Sequence, residues 1–301
     1  MLKSIIILFF STLCLYSIAQ TDAIDTSGYQ AIRYKIQNKD FFIKLSPNDP
    51  IHYYDRAILK KSMNDFKGAE EDYTKAITMS PNSHKFYYNR ANLYSAINEN
   101  DKAMVDYNKA IELYPTYAFA FCNRALVFQR LKKYDNAIVD FNKAIELDPS
   151  YFNYENRAMC FLEMLEYEKA ILDYSKIIQI NPSYSEAYRW RSGIKATLLN
   201  YDGAINDIDS AIVLSPKDVN LRLTKGFLKI DIKKYEEAIQ HFSIVIEMNP
   251  LIAHAFNGRG IAKAQLQQYK EAIIDFKKAL EIQPDNEKFK ENLKGTEEAV
   301  K

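Results

Sequence analysis

The chain is short of the residues that punctuate strands and turns: 8 glycines and 9 prolines in 301 residues. That scarcity argues against a strand-and-hairpin fold, which needs turn chemistry every few residues. Three cysteines are too few and too unpaired in spacing for a disulfide framework. Neither sign of charge is in excess, with Lys plus Arg at 40 and Asp plus Glu at 39, so no overall basic field points to nucleic acid. Beyond the first twenty positions no stretch approaches eighteen apolar residues, so a mature chain has no membrane span. The sequence contains no G-x-x-x-x-G-K-[ST], G-x-S-x-G or H-E-x-x-H. None of the 22 asparagines begins an N-x-[ST] acceptor with a permitted middle residue, which disfavours a glycosylated secretory route.

What remains is ordinary in bulk and unusual in order. Apolar residues make up 48% and charged residues 26%, with 22 Tyr and 17 Phe. Such a composition folds and is not that of a disordered chain. The first residues read as a leader: Lys3, then the apolar run Ile5 to Tyr16, then Ser17-Ile18-Ala19 with small residues three and one before a cut. These are the three regions of a secretory signal peptide, expected to span 1–19 with cleavage after Ala19. An uncleaved anchor is the alternative. Bulky Leu13 before Cys14 argues against lipidation there. Cleavage removes Lys3 and no acid, leaving the mature charge balanced, and places the protein in a periplasm or outside the cell.

Proline then recurs as a ruler, at Pro47, Pro81, Pro115, Pro149, Pro182, Pro216, Pro250 and Pro284. Six intervals are 34 residues and one is 33. A fixed period of this size means stacked supersecondary units. Twelve places before each proline from Pro81 onward stands alanine, from Ala69 to Ala272. Twenty-four before, the residue is small (Ala57, Ala91, Ala125, Ala158, Ser192, Gly226, Gly260), and eight before it is aromatic or Ile. In the third unit Ala137, Phe141, Ala144 and Ile145 form one helical stripe, and Phe121, Ala125 and Phe128 form another upstream. Two helices of about a dozen residues with short turns fill each period, small residues let them approach, and proline closes the unit. The expected fold is all-α.

These residues resemble the tetratricopeptide repeat (TPR) family, as in Asn123-Arg124-Ala125 leading to Leu147-Asp148-Pro149. The resemblance implies an α-solenoid, a right-handed superhelix of seven helix-turn-helix units over 50–284. A flexible lead is expected at 20–28, a capping helix at 29–49 and a second at 285–301. Ile36, Phe42, Ile43 and Leu45 of the first cap are expected to cover the first unit, and Phe289 and Leu293 of the second to face inward. The unit ending at Pro250 departs most, with Arg222 at an aromatic place and Val245 for Ala; the unit ending at Pro182 has Ile177 there.

A second pattern rides on the first. Arg stands twenty-five before the proline in six units and Asp nine before it in six; the exceptional unit has Lys225 and His241 together. The joint change predicts an Arg–Asp pair between the two helices of a unit. The alternative, a basic stripe for anionic partners, is outweighed because an acid recurs with every Arg.

Nothing catalytic stands out. The four histidines fall in different units without metal-ligand spacing, Gly258-Arg259-Gly260 belongs to the packing pattern, and no cofactor or metal site is expected. The family resemblance places ligand contacts on the concave face lined by the first helices. Outward positions there are Lys85, Tyr88 and Asn92, then Phe119, Cys122, Asn123 and Leu126, then Phe152, Asn156, Met159 and Leu162. Arg189 and Trp190 follow, then Phe227 and Ile230. The alternative for each is packing against a neighbouring repeat. The family's clamp for acidic chaperone tails matches only in part, at Asn92 and Asn123, because Tyr88 and Phe152 stand where lysines are expected. The expectation is a non-catalytic scaffold outside the cytosol that holds a peptide segment of a protein partner in an apolar groove. The alternative is an accessory subunit of an envelope complex using its convex face or edges. The sequence sets neither the partner nor the oligomeric state.

Overall fold

The computed structural model describes residues 26–300, so the leader expected at 1–19 lies outside the described residues. Sixteen helices and no strand occur among the described residues. A lone helix, α1 (Thr26–Leu45), precedes seven pairs. The first four pairs are α2 (Pro50–Ser62) with α3 (Phe66–Met79), α4 (His84–Ala96) with α5 (Asn100–Leu113), α6 (Ala118–Arg130) with α7 (Tyr134–Leu147), and α8 (Tyr151–Glu163) with α9 (Tyr167–Ile180). The others are α10 (Ser185–Thr197) with α11 (Tyr201–Leu214), α12 (Val219–Asp231) with α13 (Tyr235–Met248), and α14 (Ala253–Gln265) with α15 (Tyr269–Ile282). The last helix, α16 (Glu287–Ala299), stands alone. The first cap begins at Thr26, so 26–28 are helix where a flexible lead was expected, and it stops at Leu45 because Pro47 lacks the N–H that a continuing helix needs.

Local chemistry sets these boundaries. Asp49 Oδ1 accepts from the Ile51 amide at 2.9 Å and Pro50 takes the first turn, where a missing N–H costs nothing. Asp65 and Asn286 cap α3 and α16 in the same way. Between the two helices of every pair one residue turns left-handed: Asn64, Asn98, Lys132, Leu165, Leu199, Lys233 and Gln267, with φ between 57 and 61°. None is glycine, so each turn carries a modest backbone cost that the packing on either side holds in place.

The chain forms two compact units, one through Leu165 and one from Glu166. Within each, the helices of a pair pack along their length, and first helices of successive repeats approach one another more than second helices do. The first-helix layer is therefore the inner one of each unit. The alanines and small residues of the pattern are the contact points: Ala57, Ala69, Ala91, Ala103, Ala125 and Ala137 are buried without exposure. The aromatic eight before each proline fills the space beside them, as Phe141 does among Cys122, Ala125, Ala137, Ala144 and Cys160. Where the small residue is glycine it has to be: a Cβ on Gly226 would lie 2.6 Å from Phe242, and one on Gly260 would lie 2.8 Å from Phe276.

The Arg–Asp pairs form. In the first unit Arg124 Nε and Nη2 each donate to Asp140 at 2.7 Å, and Arg56–Asp72 and Arg90–Asp106 repeat the geometry. In the second unit Arg191–Asp207 and Arg259–Asp275 do the same. The aspartates are buried, so these are forked, desolvated bonds and not the exposed surface pairs that contribute little. Each Arg also reaches back one repeat, to the residue seven before the previous proline: Asp40, Thr74, Asn108, Ser175 and Ser243 accept from Arg56, Arg90, Arg124, Arg191 and Arg259. One guanidinium thus ties three helices.

The exceptional unit solves the same problem differently. Lys225 pairs at 2.5 Å with Asp209, the only acid at the back-reaching place after Asp40. The carboxylate lost at His241 is supplied by the preceding repeat. Lys229, buried beside it, turns to Glu237 at 2.6 Å.

Candidate functional site

The inner layer of the first unit carries an exposed side chain at the same place in every repeat, thirty before each proline. These are Ile51, Lys85, Phe119 and Phe152; the three apolar members are 49%, 52% and 47% exposed. Lys85, Phe119 and Phe152 are among the expected ligand contacts. Ile51 was missed, although the repeat register that marks Phe119 marks it too. The same register in the second unit reads Glu186, Asn220 and His254, so the large apolar side chains at this place belong to the first unit.

An aromatic cluster backs this row. His84 lies 4.7 Å from Tyr114 and 5.0 Å from Tyr117, ring centre to ring centre, and Tyr117 meets Tyr88 at 5.0 Å and Phe119 at 5.8 Å. These tilted and edge-on contacts fix the rings. Burial, with Lys85 adding repulsion, holds the His84 pKa below its usual range, so the imidazole is neutral near pH 7.

The asparagines do something other than wait for a ligand. Asn123 Nδ2 donates to Tyr88 Oη at 3.0 Å and to Asn92 Oδ1 at 2.8 Å, and Asn92 Oδ1 also accepts from Tyr107 Oη at 2.6 Å. Asn156 Nδ2 donates to the Phe152 carbonyl at 3.0 Å and reaches Cys122 Sγ at 3.5 Å. Asn89 Nδ2 bonds Tyr54 Oη, and in the second unit Asn292 Nδ2 bonds Asn257 Oδ1. Asparagine on one first helix therefore joins it to the first helix before it. Tyr88, Asn92, Asn123 and Asn156 belong to this ladder.

The remaining expected contacts are packed to different degrees. Cys122 and Leu162 are buried, not outward, and burial pushes the Cys122 thiol up to about 12. Leu126 is half-buried against the Phe141 cluster, and Met159 is half-buried. In the second unit Trp190 is buried and stacked on Tyr174 at 6.3 Å, with the Arg189 guanidinium over its ring and bonded to Glu186. Phe227 sits edge-on to Phe242 at 5.0 Å, and Ile230 packs in the same cluster. The expected groove thus resolves into an exposed row and a supporting wall. The wall is a bonded or packed layer because first helices of neighbouring repeats touch, a contact that helical periodicity within one repeat does not reveal.

Among the described residues no group of His, Cys, Asp and Glu is arranged to hold a metal ion, and no helix is long and apolar enough to cross a membrane.

Paired helices in a repeated register, a layer of mutually bonded first helices and alanine contact points define an α-solenoid of interaction repeats. Sequence comparison agrees: Tetratricopeptide repeat models match residues 53–83, 84–117, 118–151 and 253–286. These stretches are tetratricopeptide repeats, and the fold of the described residues is that of tetratricopeptide repeat proteins. A tetratricopeptide repeat protein from Parabacteroides merdae superposes with a TM-score of 0.55 at 21% identity, over 82% of this chain and 98% of that one. The C-terminal part of a TPR repeat-containing protein from Cytophaga hutchinsonii gives 0.69 at 17% identity, over 80% and 99%. Yeast Tom70 gives 0.52 at 22% identity, over 90% of this chain and 59% of that one. At these identities the likeness is one of fold. No curated protein matches the sequence. Proteins of this fold are generally non-catalytic scaffolds for other proteins.

Proposed function

We propose that the chain is an exported, non-catalytic adaptor, in a periplasm or secreted, whose first-helix layer holds a segment of a partner protein. The observation that carries the reading is the row Ile51, Lys85, Phe119 and Phe152: large, exposed, in one register and mounted on a bonded wall. Apolar side chains spaced one per repeat suit an extended or helical peptide with regularly placed hydrophobic anchors, and a rigid wall lowers the ordering cost of binding. Lys85 within the row adds a contact for a carboxylate. The leader expected at 1–19 supports the location.

The test is capture of the partner from an envelope extract, then titration of a synthetic peptide from it. Phe119→Ala with Phe152→Ala should weaken that peptide at least about tenfold while helical circular dichroism is unchanged. Equal affinity of variant and wild type would remove the groove reading. N-terminal sequencing of the exported chain should begin at Gln20. A second reading, an accessory subunit using the outer face, draws on Val105 and Val139, strongly exposed in one register of the second helices. Under it Val105→Lys with Val139→Lys, and not the Phe pair, would release the partner.

A further inference from the structure

A solenoid end must present a polar outer face, because no further repeat covers it. At the far end this holds: α16 is exposed along Lys288, Glu291, Lys294 and Glu298. Helix α1 breaks the rule. Tyr34, Phe41 and Leu45 lie at i, i+7 and i+11, on one stripe, and are 65%, 58% and 63% exposed. The expected cover of the first repeat fails in part for this reason: Ile36 and Ile43 are half-buried and Phe42 stacks on His52 at 5.3 Å, whereas Leu45 is exposed.

The stripe is not a by-product of the repeat. Helix α1 occupies the place of a second helix, since Asp40, seven before Pro47, accepts from Arg56 at 2.6 Å as Thr74 and Asn108 accept further along. Six before the proline the other second helices of this unit carry Lys75, Lys109 and Lys143; α1 carries Phe41. Its charges are equally particular. The single acid of the helix, Asp40, is held by Arg56, and Lys39 is held by Asp55 at 2.7 Å. Arg33, Lys35 and Lys44 are exposed along the two margins of the stripe.

We propose that the outward face of α1, with Tyr34, Phe41 and Leu45 flanked by Arg33, Lys35 and Lys44, docks on an anionic lipid surface. Aromatic and aliphatic side chains enter the boundary between head groups and acyl chains, while flanking cations reach anionic head groups on flexible stems. No carboxylate of α1 is left on that face to oppose them. A second copy is the poorer occupant, because pairing two such stripes sets cation margins against each other. The apolar run Ile5 to Tyr16, expected to be a leader, lies a short way upstream of this helix in the sequence.

The test uses the chain as purified after expression with its own leader. Tyr34→Trp places an indole on the stripe, and Glu291→Trp places one on α16 as control; the buried Trp190 supplies the wild-type background. Vesicles of phosphatidylglycerol and phosphatidylcholine with brominated acyl chains should quench the added emission of Tyr34→Trp by about half and leave the control unchanged. Phe41→Ser with Leu45→Ser in the same background should lower vesicle affinity about tenfold or more. Absence of quenching overturns the proposal. So does equal quenching at Glu291→Trp, equal quenching by phosphatidylcholine alone, or a self-associated form in lipid-free solution that already shields the indole.

Discussion

Phe242 shows how far a single side chain sets its surroundings. Its ring is wholly buried, and a Cβ on Gly258 of the next first helix would lie 2.5 Å from it. The ring is therefore wedged between glycines of two repeats, Gly226 and Gly258. Gly258→Ala gains about 0.8–1 kcal/mol of helix propensity but overpacks this site, at about 1–3 kcal/mol. The expected net result is a lower midpoint in urea. Gly295 of α16 has nothing within 4 Å of its would-be Cβ, so Gly295→Ala should raise stability by about 0.5–1 kcal/mol. The same substitution thus takes opposite signs at two helical glycines, and equal signs would contradict the packing described.

At the scale of an element, the unit formed by α12 and α13 is held together differently from its neighbours. His241 occupies the aspartate place, and its Nδ1 is buried without a protein partner. Burial first, then Lys225 and Lys229, holds its pKa below the ordinary value of 6.5. A depressed imidazole means that the unfolded chain binds the proton more readily. The associated stability is full above about pH 6.5 and is lost as the pH falls below it. Wild type should therefore lose more thermal stability than His241→Gln between about pH 7 and pH 5, followed by circular dichroism. Parallel curves would show that the imidazole is not the group responsible. The sequence exposed the joint change of Lys225 and His241. It did not reveal that Asp209 compensates, because the partner sits in another repeat and only helix contact makes them neighbours.

For the whole molecule, stability in a repeat array is a sum of units and nearest-neighbour contacts. Removing 285–301 strips α16 from the cluster of Ala253, Phe256, Ala279 and Phe289. Hydrogen exchange should then quicken in α14 and α15 and stay near wild type in α2 to α5. A uniform rise along the chain would mean one cooperative unit instead of a stack. Phe289 faces inward as the amphipathic pattern predicts, whereas α1 covers its repeat with Ile36, Phe42 and Ile43 and leaves Leu45 outside. Apolar periodicity names the residues that can be buried, but an end helix has one neighbour and can bury only one side.

The amino-acid order alone determined the class of fold: a 34-residue proline period, alanines at fixed offsets and an aromatic beside them have few other ways to pack. It determined the Arg–Asp pairs as well, since both residues lie within one helix pair whose geometry the period fixes. Only the tertiary structure decided which inward-layer residues are wall and which are surface. Tyr88, Asn92 and Asn123 are joined across repeats, Trp190 and Leu162 are buried, and Ile51, Phe119 and Phe152 stand clear. The reason is physical: a repeat pattern records the contacts that every unit makes, whereas exposure depends on the particular side chain each neighbouring repeat presents.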